Sequence, residues 1–387
     1  MKSIRSLFAA AVLAALCFGK PALAEEVGIT PTEIKLGQVA ALEGANSWLG
    51  KGMRTGLMAA FSEVNYTGGI NGRKITLVSR DDSYDPDKAA ASVKQVINDD
   101  KVFAVVGCVG TPTSNAIVPI TEEANVPFVG ALTGAKSLRD PKWKNVVNFR
   151  ASYGQETEVW IQYLTKDLGL KKVAAFYQDD AFGQAGLSGV KAAMDKRSMT
   201  LVAEGGYPRG TKDIAAALDK IKAAQPEAVV MVAAYAPAAE FIREAKKAGV
   251  KAVFVNISFV GSDALAKELG PDAEGVLVTQ VVPSYYDVGQ PFIMKYLMAM
   301  RAYDKQEPFS FVSLEGYAVG RMVIEALEKA GTTLTRQSLM AALSSGDYDL
   351  NGLKLQFGNG RTQGSDAVFL TVIQKDGSFK TVALANK

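Results

Sequence analysis

Apolar strand-like runs alternate with helical patterns along most of this 387-residue chain, and this alternation restricts its fold more than any other feature. The first run, Glu33–Val39, indicates a strand, and Gly50–Val64 carries apolar residues at helical spacing. A second, similar series begins near Tyr153. The two series predict an α/β protein with two doubly wound domains. Open parallel sheets bind ligands beyond the carboxyl ends of their strands, so we expect one cleft between the two sets of strand ends.

The other predicted elements continue the alternation. Further strands are predicted at Lys74–Ser79, Val102–Val106, Pro127–Val129, Lys172–Tyr177, Thr200–Gly206, Ala228–Ala233, Ala252–Val255 and Gly275–Thr279. Further helices are predicted at Pro86–Asn98, Ile117–Ala124, Gln155–Asp167, Ala185–Lys196, Ile214–Ala224, Pro237–Ala248, Pro291–Tyr303, Phe311–Ala330 and Arg336–Ser344. From Leu353 to Val382, glycine-containing turns predict short antiparallel strands.

The composition excludes several kinds of chemistry. The chain has no histidine, which removes the commonest general base and the commonest transition-metal ligand. Its two cysteines, Cys17 and Cys108, can build neither a cysteine-based zinc site nor a disulfide framework. We therefore predict that the protein is not an enzyme and has no catalytic residues, no metal site and no cofactor. Cys108 is expected to be a small buried residue at a strand end.

The N-terminus has the pattern of a secretory signal peptide, assigned to residues 1–24. An apolar run from Leu7 to Phe18 follows two basic residues, and Ala22-Leu23-Ala24 supplies a cleavage site after Ala24. The alternative is a lipoprotein attached through Cys17, which fits less well because bulky Leu16 precedes the cysteine. The pattern favours soluble export to the periplasm.

Cleavage would change the charge of the protein. The signal segment holds three of the 43 basic residues, which leaves 40 in the mature chain against 40 acidic residues. A formally neutral chain gives no reason to expect nucleic acid or an anionic membrane surface as a partner.

Two turns at successive strand ends are the strongest candidates for a ligand site. In Gly110–Asn115, Thr111 is a predicted N-cap, with Pro112 at the first helical position and Thr113 after it. Such a turn presents N–H groups and hydroxyls to an anion, although a capped helix without a ligand would show the same pattern. Leu132-Thr133-Gly134 follows the next strand and has the same character. Together the turns predict a cradle for an anion.

Aromatic residues stand near the same predicted edge of the sheets. Trp48 lies in a polar loop after the first strand, where it can form an apolar wall for a ligand or a plug between loop and helix. Tyr235 ends a predicted strand, and Tyr153 lies where the chain would cross between domains. Either tyrosine could donate to a ligand or belong to the core.

Two acidic pairs follow predicted strands. Asp81-Asp82 and Asp179-Asp180 fall in different domains, so they cannot combine into one metal site. We expect both pairs to be helix caps and solvated loop charges.

Several short strings together resemble the periplasmic solute-binding proteins of branched-chain amino acid ABC transporters, the leucine/isoleucine/valine-binding type. They include Glu33–Gly37, Phe61–Asn65, Asp81–Pro86, Tyr177–Gly183 and Ala273–Val276, in this order along the chain. The resemblance implies a type I periplasmic binding protein fold, in which two Rossmann-like lobes are joined by three crossovers and close over one small ligand.

The resemblance also implies how the chain is divided. The N-terminal lobe would comprise residues 25–150 and 283–350, and the C-terminal lobe residues 151–282 and 351–387. The three crossovers are expected near Arg150, Val282 and Asn351. The disulfide usual in the first lobe of the family is missing, and Tyr84 stands near one of its positions.

By the same resemblance, the first lobe would hold the ligand's carboxylate through positions 111–113 and 132–134. Trp48 would wall the side-chain pocket, and Tyr235 would contact the ligand from the second lobe. Amino-acid-binding members have a glutamate that pairs with the ligand's ammonium, and Ser258 takes its place here. Because a buried ammonium without a carboxylate partner is costly, we expect a carboxylate that lacks the α-ammonium.

Two details of this ligand hypothesis depend on single residues. Trp48, Tyr153, Phe182 and Tyr235 favour an aromatic carboxylate. Asp180 is the cleft acid that could restore binding of a hydrophobic amino acid.

The family implies a monomeric binding protein that delivers its ligand to ABC permease subunits in the inner membrane. One alternative is a periplasmic sensor domain that presents the ligand to a membrane receptor. Another is a secreted α/β hydrolase, which the missing histidine and the lack of a nucleophile elbow disfavour.

Overall fold

The computed structural model describes residues 26–385. The predicted signal peptide, its cleavage site and Cys17 lie outside this range. Among the residues described, no helix is both long and apolar enough to cross a membrane. The range contains one parallel sheet, one mixed sheet and a small hairpin.

The first sheet has five parallel strands in the order β2-β1-β3-β4-β5. They are β1 (Glu33–Ala40), β2 (Lys74–Asp81), β3 (Ala104–Val106), β4 (Phe128–Val129) and β5 (Val146–Val147). The connecting helices are α1 (Ser47–Tyr66), α2 (Pro86–Asn98) and α3 (Thr111–Glu123). Glu33 is opposite Lys74, and the β1–β2 register continues to Ala40 opposite Asp81. The sheet and these helices form the first lobe.

The second sheet has seven strands in the order β14-β13-β10-β9-β8-β6-β7. Its parallel part consists of β6 (Val173–Gln178), β7 (Ala203–Tyr207), β8 (Ala228–Val232), β9 (Val253–Asn256) and β10 (Leu277–Gln280). Its helices are α4 (Tyr153–Gln162), α5 (Ala181–Asp195), α6 (Ala215–Ala223), α7 (Tyr235–Lys247) and α8 (Ser262–Leu269). A π-helical turn, Tyr163–Asp167, extends α4, and these elements form the second lobe.

The chain then returns to the first lobe and leaves it again. Helices α9 (Pro291–Tyr303) and α10 (Phe311–Ala330) both pack on α1, and α11 (Arg336–Ser344) packs on α10. Strands β11 (Asp347–Leu350) and β12 (Leu353–Gln356) form the hairpin, and β13 (Phe369–Ile373) and β14 (Phe379–Thr381) complete the second sheet as an antiparallel pair. The chain therefore passes between the lobes three times, while the exact bounds of each lobe stay a prediction.

Most predicted elements are present, and the differences are local. The predicted bounds of α2, α9, α10 and α11 agree with the structure. The N-cap of α3 is Gly110, with φ +101°, so the prediction that Thr111 is the cap was wrong, and Pro112 is the second helical residue. Helix α8, the two-residue strand β5 and strand β11 were not predicted. Cys108 is fully buried as expected, and burial raises the pKa of its thiol to about 12.

Helices α1 and α10 approach each other closely enough to touch through their backbones. A Cβ on Gly56 would lie 2.0 Å from the Ser313 carbonyl oxygen, and one on Gly316 would lie 2.4 Å from the Met53 carbonyl oxygen. Since backbone cannot yield as a side chain can, both glycines are required for this contact. The contact joins a helix from the start of the first lobe to one that follows the second lobe.

We expect Gly56→Ala to destabilise the protein by about 1–3 kcal/mol, because overpacking against backbone outweighs alanine's better helix propensity. Gly154→Ala is the matched control: this helical glycine is exposed, and its Cβ would meet only Ser152 Oγ at 3.8 Å. The control should be neutral or stabilising by up to about 1 kcal/mol. Urea unfolding followed by circular dichroism measures both, and equal stability of the two variants would contradict the close-packing argument.

Candidate functional site

The two predicted turns of the first lobe lie side by side at the carboxyl ends of β3 and β4. A parallel bridge between Val109 and Leu132 aligns them. The hydroxyls of Thr111 and Thr133 are 2.7 Å apart and fully buried, while the Thr113 hydroxyl donates to the Val109 carbonyl at 2.5 Å. The structure thus brings the predicted cradle residues together. Thr111 and Thr133 are the hydroxyls available to each other and to an anion at this edge.

Tyr153, just after the first crossover, packs beside the two turns. Its backbone N–H donates to the Gly134 carbonyl at 2.8 Å, and a Cβ on Gly134 would lie 2.5 Å from the Tyr153 ring. Glycine at position 134 is therefore what lets the ring approach. The buried Tyr153 hydroxyl has no hydrogen-bond partner among the described residues. It is a free donor beside the paired threonines.

A row of aromatic rings crosses the space between the lobes. Tyr153 contacts Phe182 edge-on with ring centroids 5.7 Å apart, and Phe182 lies 4.5 Å from Phe259 by the same measure. The row ends at Tyr84 of the first lobe, 6.0 Å from Phe259. Tyr153 and Phe182 were predicted from the sequence. Phe259 and Tyr84 were missed, although Phe259 directly follows the singled-out Ser258.

Trp48 and Tyr235 lie together at the mouth of the cleft. They line a cavity of about 710 Å³ between α1 of the first lobe and α8 of the second. The Tyr235 hydroxyl donates to the Ala45 carbonyl across the cleft, and the Trp48 indole N–H is buried without a hydrogen-bond partner among residues 26–385. The lining also includes charged side chains, namely Lys51, Arg54, Lys267, Glu268 and Glu307. The cavity is therefore not a purely apolar pocket.

A second set of contacts joins the lobes at Tyr84. Ser83 and Tyr84 both have left-handed backbone conformations, with φ of 49° and 61°. The turn directs the Tyr84 carbonyl to Arg209 of the second lobe, which donates at 2.7 Å, and the Tyr84 hydroxyl accepts from Gln178 at 3.4 Å. This turn stabilises the closed arrangement of the lobes.

The acidic pairs behave differently from each other. Asp180 caps α5 as expected: one carboxylate oxygen accepts from the Phe182 and Gly183 N–H groups, and the other accepts from Gln178 at 2.6 Å. Asp82 was expected to be solvated, and this prediction was wrong, because the side chain is fully buried beneath the Tyr84 turn. One Asp82 oxygen accepts the Tyr84 N–H at 2.8 Å, and burial raises the pKa of the carboxyl to about 7.

Buried charges at the first crossover form a cluster that sequence reasoning missed. The Arg150 guanidinium donates to Glu156 at 2.9 Å and to the Ser258 hydroxyl, and its other end lies 3.6 Å from Glu315. Glu156 belongs to the second lobe through α4, and Glu315 belongs to the first lobe through α10. Thr279 donates to Glu156 at 2.5 Å. Ser258, predicted as a site residue, therefore lies in direct contact with a buried ion pair.

No group of three or more acidic, histidine or cysteine side chains within residues 26–385 could hold a metal ion. The chemistry of the site is that of hydroxyls, backbone N–H groups, aromatic rings and a buried arginine that is paired with two carboxylates. Such groups can bind an organic anion, but they offer no activated nucleophile.

Comparison with known proteins identifies relatives over nearly the whole described chain. A family model described as periplasmic binding protein matches residues 33–378. A Leu/Ile/Val-binding protein homologue of Brucella melitensis is 26% identical over 314 residues, covering 81% of this chain and 84% of the relative. A crystal structure from Rhodopirellula baltica, described as a possible leucine/isoleucine/valine-binding protein, has a TM-score of 0.86 and 35% identity, covering 93% of this chain and 98% of its own. A substrate-binding periplasmic protein of Ralstonia solanacearum has a TM-score of 0.85 and 29% identity, covering 90% and 100%.

The raised pKa of Asp82 predicts a pH dependence of stability. Between the pKa of the unfolded chain, near 3.8, and the folded value of about 7, the folded protein binds more protons than the unfolded chain. Stability from this group is therefore present at low pH and lost as pH rises towards 7. Asp82→Asn should flatten the fall in melting temperature between pH 5 and pH 8.

The control for this prediction is Asp85→Asn in the same loop. Asp85 caps α2, and the hydrogen bonds that its carboxylate accepts from backbone N–H groups lower the pKa of the carboxyl. Its titration falls below pH 5, so this variant should keep the wild-type slope. A wild-type slope in the Asp82 variant, measured by thermal melts, would show that Asp82 does not titrate in this range.

Proposed function

Since the chain belongs to the periplasmic binding protein family, we propose that it is the substrate-binding component of an ABC uptake transporter and binds a small carboxylate between its lobes. The observation that carries the proposal is the pair of buried threonine hydroxyls, Thr111 and Thr133, beside the free Tyr153 hydroxyl. These donors meet backbone turns at two adjacent strand ends, which is the arrangement that suits an anion.

Contacts across the cleft support binding by lobe closure. Tyr235 of the second lobe donates to Ala45 of the first, and Arg209 of the second lobe donates to Tyr84 of the first. An open form would lack these contacts. A ligand that touches both lobes binds the closed form better and shifts the population towards it.

The positions of the acidic side chains support a ligand without an α-ammonium. Ser258 replaces the family's glutamate, and both oxygens of Glu156, the nearest carboxylate to it, accept hydrogen bonds from Ser258 and Thr279. Both oxygens of Asp180 are likewise engaged, so neither acid is free for an ammonium. A buried cation left unpaired would cost several kcal/mol.

The ligand's remaining atoms would extend towards the cavity at the cleft mouth. Trp48 and Tyr235 supply two aromatic walls there, and Lys51 and Arg54 add positive charge at the rim. The Brucella melitensis protein is named a Leu/Ile/Val-binding protein homologue, and the Rhodopirellula baltica protein a possible leucine/isoleucine/valine-binding protein. With the aromatic walls, these names make branched and aromatic carboxylates the ligands to test first.

The place of action and the partners follow from the family. The protein would act as a monomer in the periplasm after cleavage at Ala24. It would deliver the bound ligand to permease subunits in the inner membrane, and the ATPase of the transporter would drive uptake.

We expect a double variant, Thr111→Val with Thr133→Val, to lose carboxylate binding by about 10- to 100-fold, because charge-assisted hydrogen bonds are removed. Replacing both hydroxyls leaves neither of them unpaired, but the Ala135 N–H, which donates to Thr133 Oγ1 at 3.2 Å, loses its acceptor, so we expect a loss of about 1–3 kcal/mol of stability. Thr121→Val is the control, since this buried threonine lies in α3 away from the cradle and donates only to Val118. Isothermal titration of refolded, ligand-free protein gives the affinities.

The ligand panel contains leucine, valine, phenylalanine, their deaminated counterparts and benzoate, screened by thermal shift. A carboxylate at 100 times its Kd should stabilise the protein by about 2.7 kcal/mol. Unchanged affinity in the Thr111→Val, Thr133→Val variant would show that these hydroxyls do not bind the carboxylate. Absence of a shift with every compound would count against a carboxylate-binding function.

A further inference from the structure

The Arg150 side chain has hydrogen-bonding capacity that the protein itself does not use. It is fully buried, and its Nε and Nη1 atoms have no hydrogen-bond partner among the described residues. Only Nη2 makes hydrogen bonds, with Glu156 and Ser258, while Nη1 lies 3.6 Å from a Glu315 carboxylate oxygen without a hydrogen bond. A buried guanidinium with unsatisfied donors is costly, so its free edge indicates an acceptor supplied from outside the chain.

Arg150 lies next to the proposed ligand site. The guanidinium carbon lies 5.8 Å from the centroid of the Tyr153 ring, and that ring packs on Gly134 beside Thr133. Arg150 also bonds to Ser258, the residue at the position of the family's ammonium-binding glutamate. Arg150 therefore connects the proposed carboxylate cradle to the place where an amino acid would carry its ammonium.

The two carboxylates at this place are already paired with the Arg150 guanidinium. Glu156 is saturated by donors from Arg150, Ser258 and Thr279. Glu315 keeps one unpartnered oxygen, but burial raises the pKa of its carboxyl, which reduces its capacity to balance a ligand cation. The unsatisfied donors of Arg150 instead favour an oxygen acceptor.

We propose that Arg150 is a specificity-determining residue that donates to an oxygen on the ligand's α-carbon, and that the substrates are 2-oxo carboxylates. The oxo oxygen takes the position that the ammonium has in an amino acid, and it accepts from Nε or Nη1 without bringing a proton of its own. This inference rests on the proposed carboxylate-binding function and adds the identity of the α-substituent.

The test compares ligands that differ only at the α-carbon. The first series is 4-methyl-2-oxopentanoate, 4-methylpentanoate and leucine, and the second is phenylpyruvate, 3-phenylpropanoate and phenylalanine. Titration calorimetry on refolded wild-type protein should show that each oxo acid binds at least about tenfold more tightly than its α-unsubstituted counterpart. The amino acid should bind weakest in each series.

A matched pair of variants assigns the effect to Arg150. Arg150→Lys keeps the charge but removes the planar fork, so the ratio between oxo and unsubstituted acid should fall towards one. Arg139→Lys is the control, because Arg139 donates to Gln363 and to the Ala135 and Arg150 carbonyls and not towards the cradle. It should keep the wild-type ratio. Both affinities in a ratio are measured on the same protein sample, so a loss of stability affects them equally. If Arg150→Lys does not fold, the ratio of the wild-type protein alone tests whether an α-oxo group is preferred.

The outcomes separate this inference from the proposed function. Equal affinity for oxo and unsubstituted acids overturns the role of Arg150 and leaves the carboxylate-binding function intact. Tightest binding of leucine or phenylalanine overturns it as well, and makes Glu315 the ammonium partner. No binding in either series removes the proposed function itself.

Discussion

A single buried arginine at the first crossover is the constraint on which the arrangement of the site depends. Arg150 has a carboxylate on each lobe within reach, Glu156 on α4 and Glu315 on α10. Because an unpaired buried charge costs several kcal/mol, the closed form must keep both carboxylates near the guanidinium. The same arginine contacts Ser258 and the Tyr153 ring, so the crossover is part of the ligand site and not merely a connection.

Much of the fold could be predicted because its helices are long and regularly amphipathic. The bounds of α2 and α9–α11 follow from apolar spacing, a proline near the helix start, or a capping serine or threonine. The elements that were missed carry little local signal: β5 has two residues, and α8 has eight and begins after a left-handed glycine. The N-cap of α3 was misplaced because Gly110 supplies a positive φ instead of a side-chain cap.

The candidate site divides in the same way. Thr111, Thr133, Trp48 and Tyr235 follow strands in the sequence, and the topology rule for parallel sheets is enough to place them at the carboxyl edges of the two sheets. The cluster of Arg150, Glu156 and Glu315 depends on contacts between residues up to 165 positions apart, which no local pattern reports. Asp82 was misread for a related reason, since tertiary packing of the Tyr84 turn decides its burial. The burial and pairing of these residues can be recognised only once the chain is folded.

The backbone contact between α1 and α10 also has a consequence for how the chain reaches its folded form. Gly56 and Gly316 lie about 260 residues apart in sequence, so the first lobe cannot finish its core until the second lobe's helices have been synthesised. The second sheet in turn waits for β13 and β14 near the C-terminus. Contacts of such long sequence separation slow folding. Neither lobe can therefore complete its core until the last part of the chain, with α10, β13 and β14, has been synthesised.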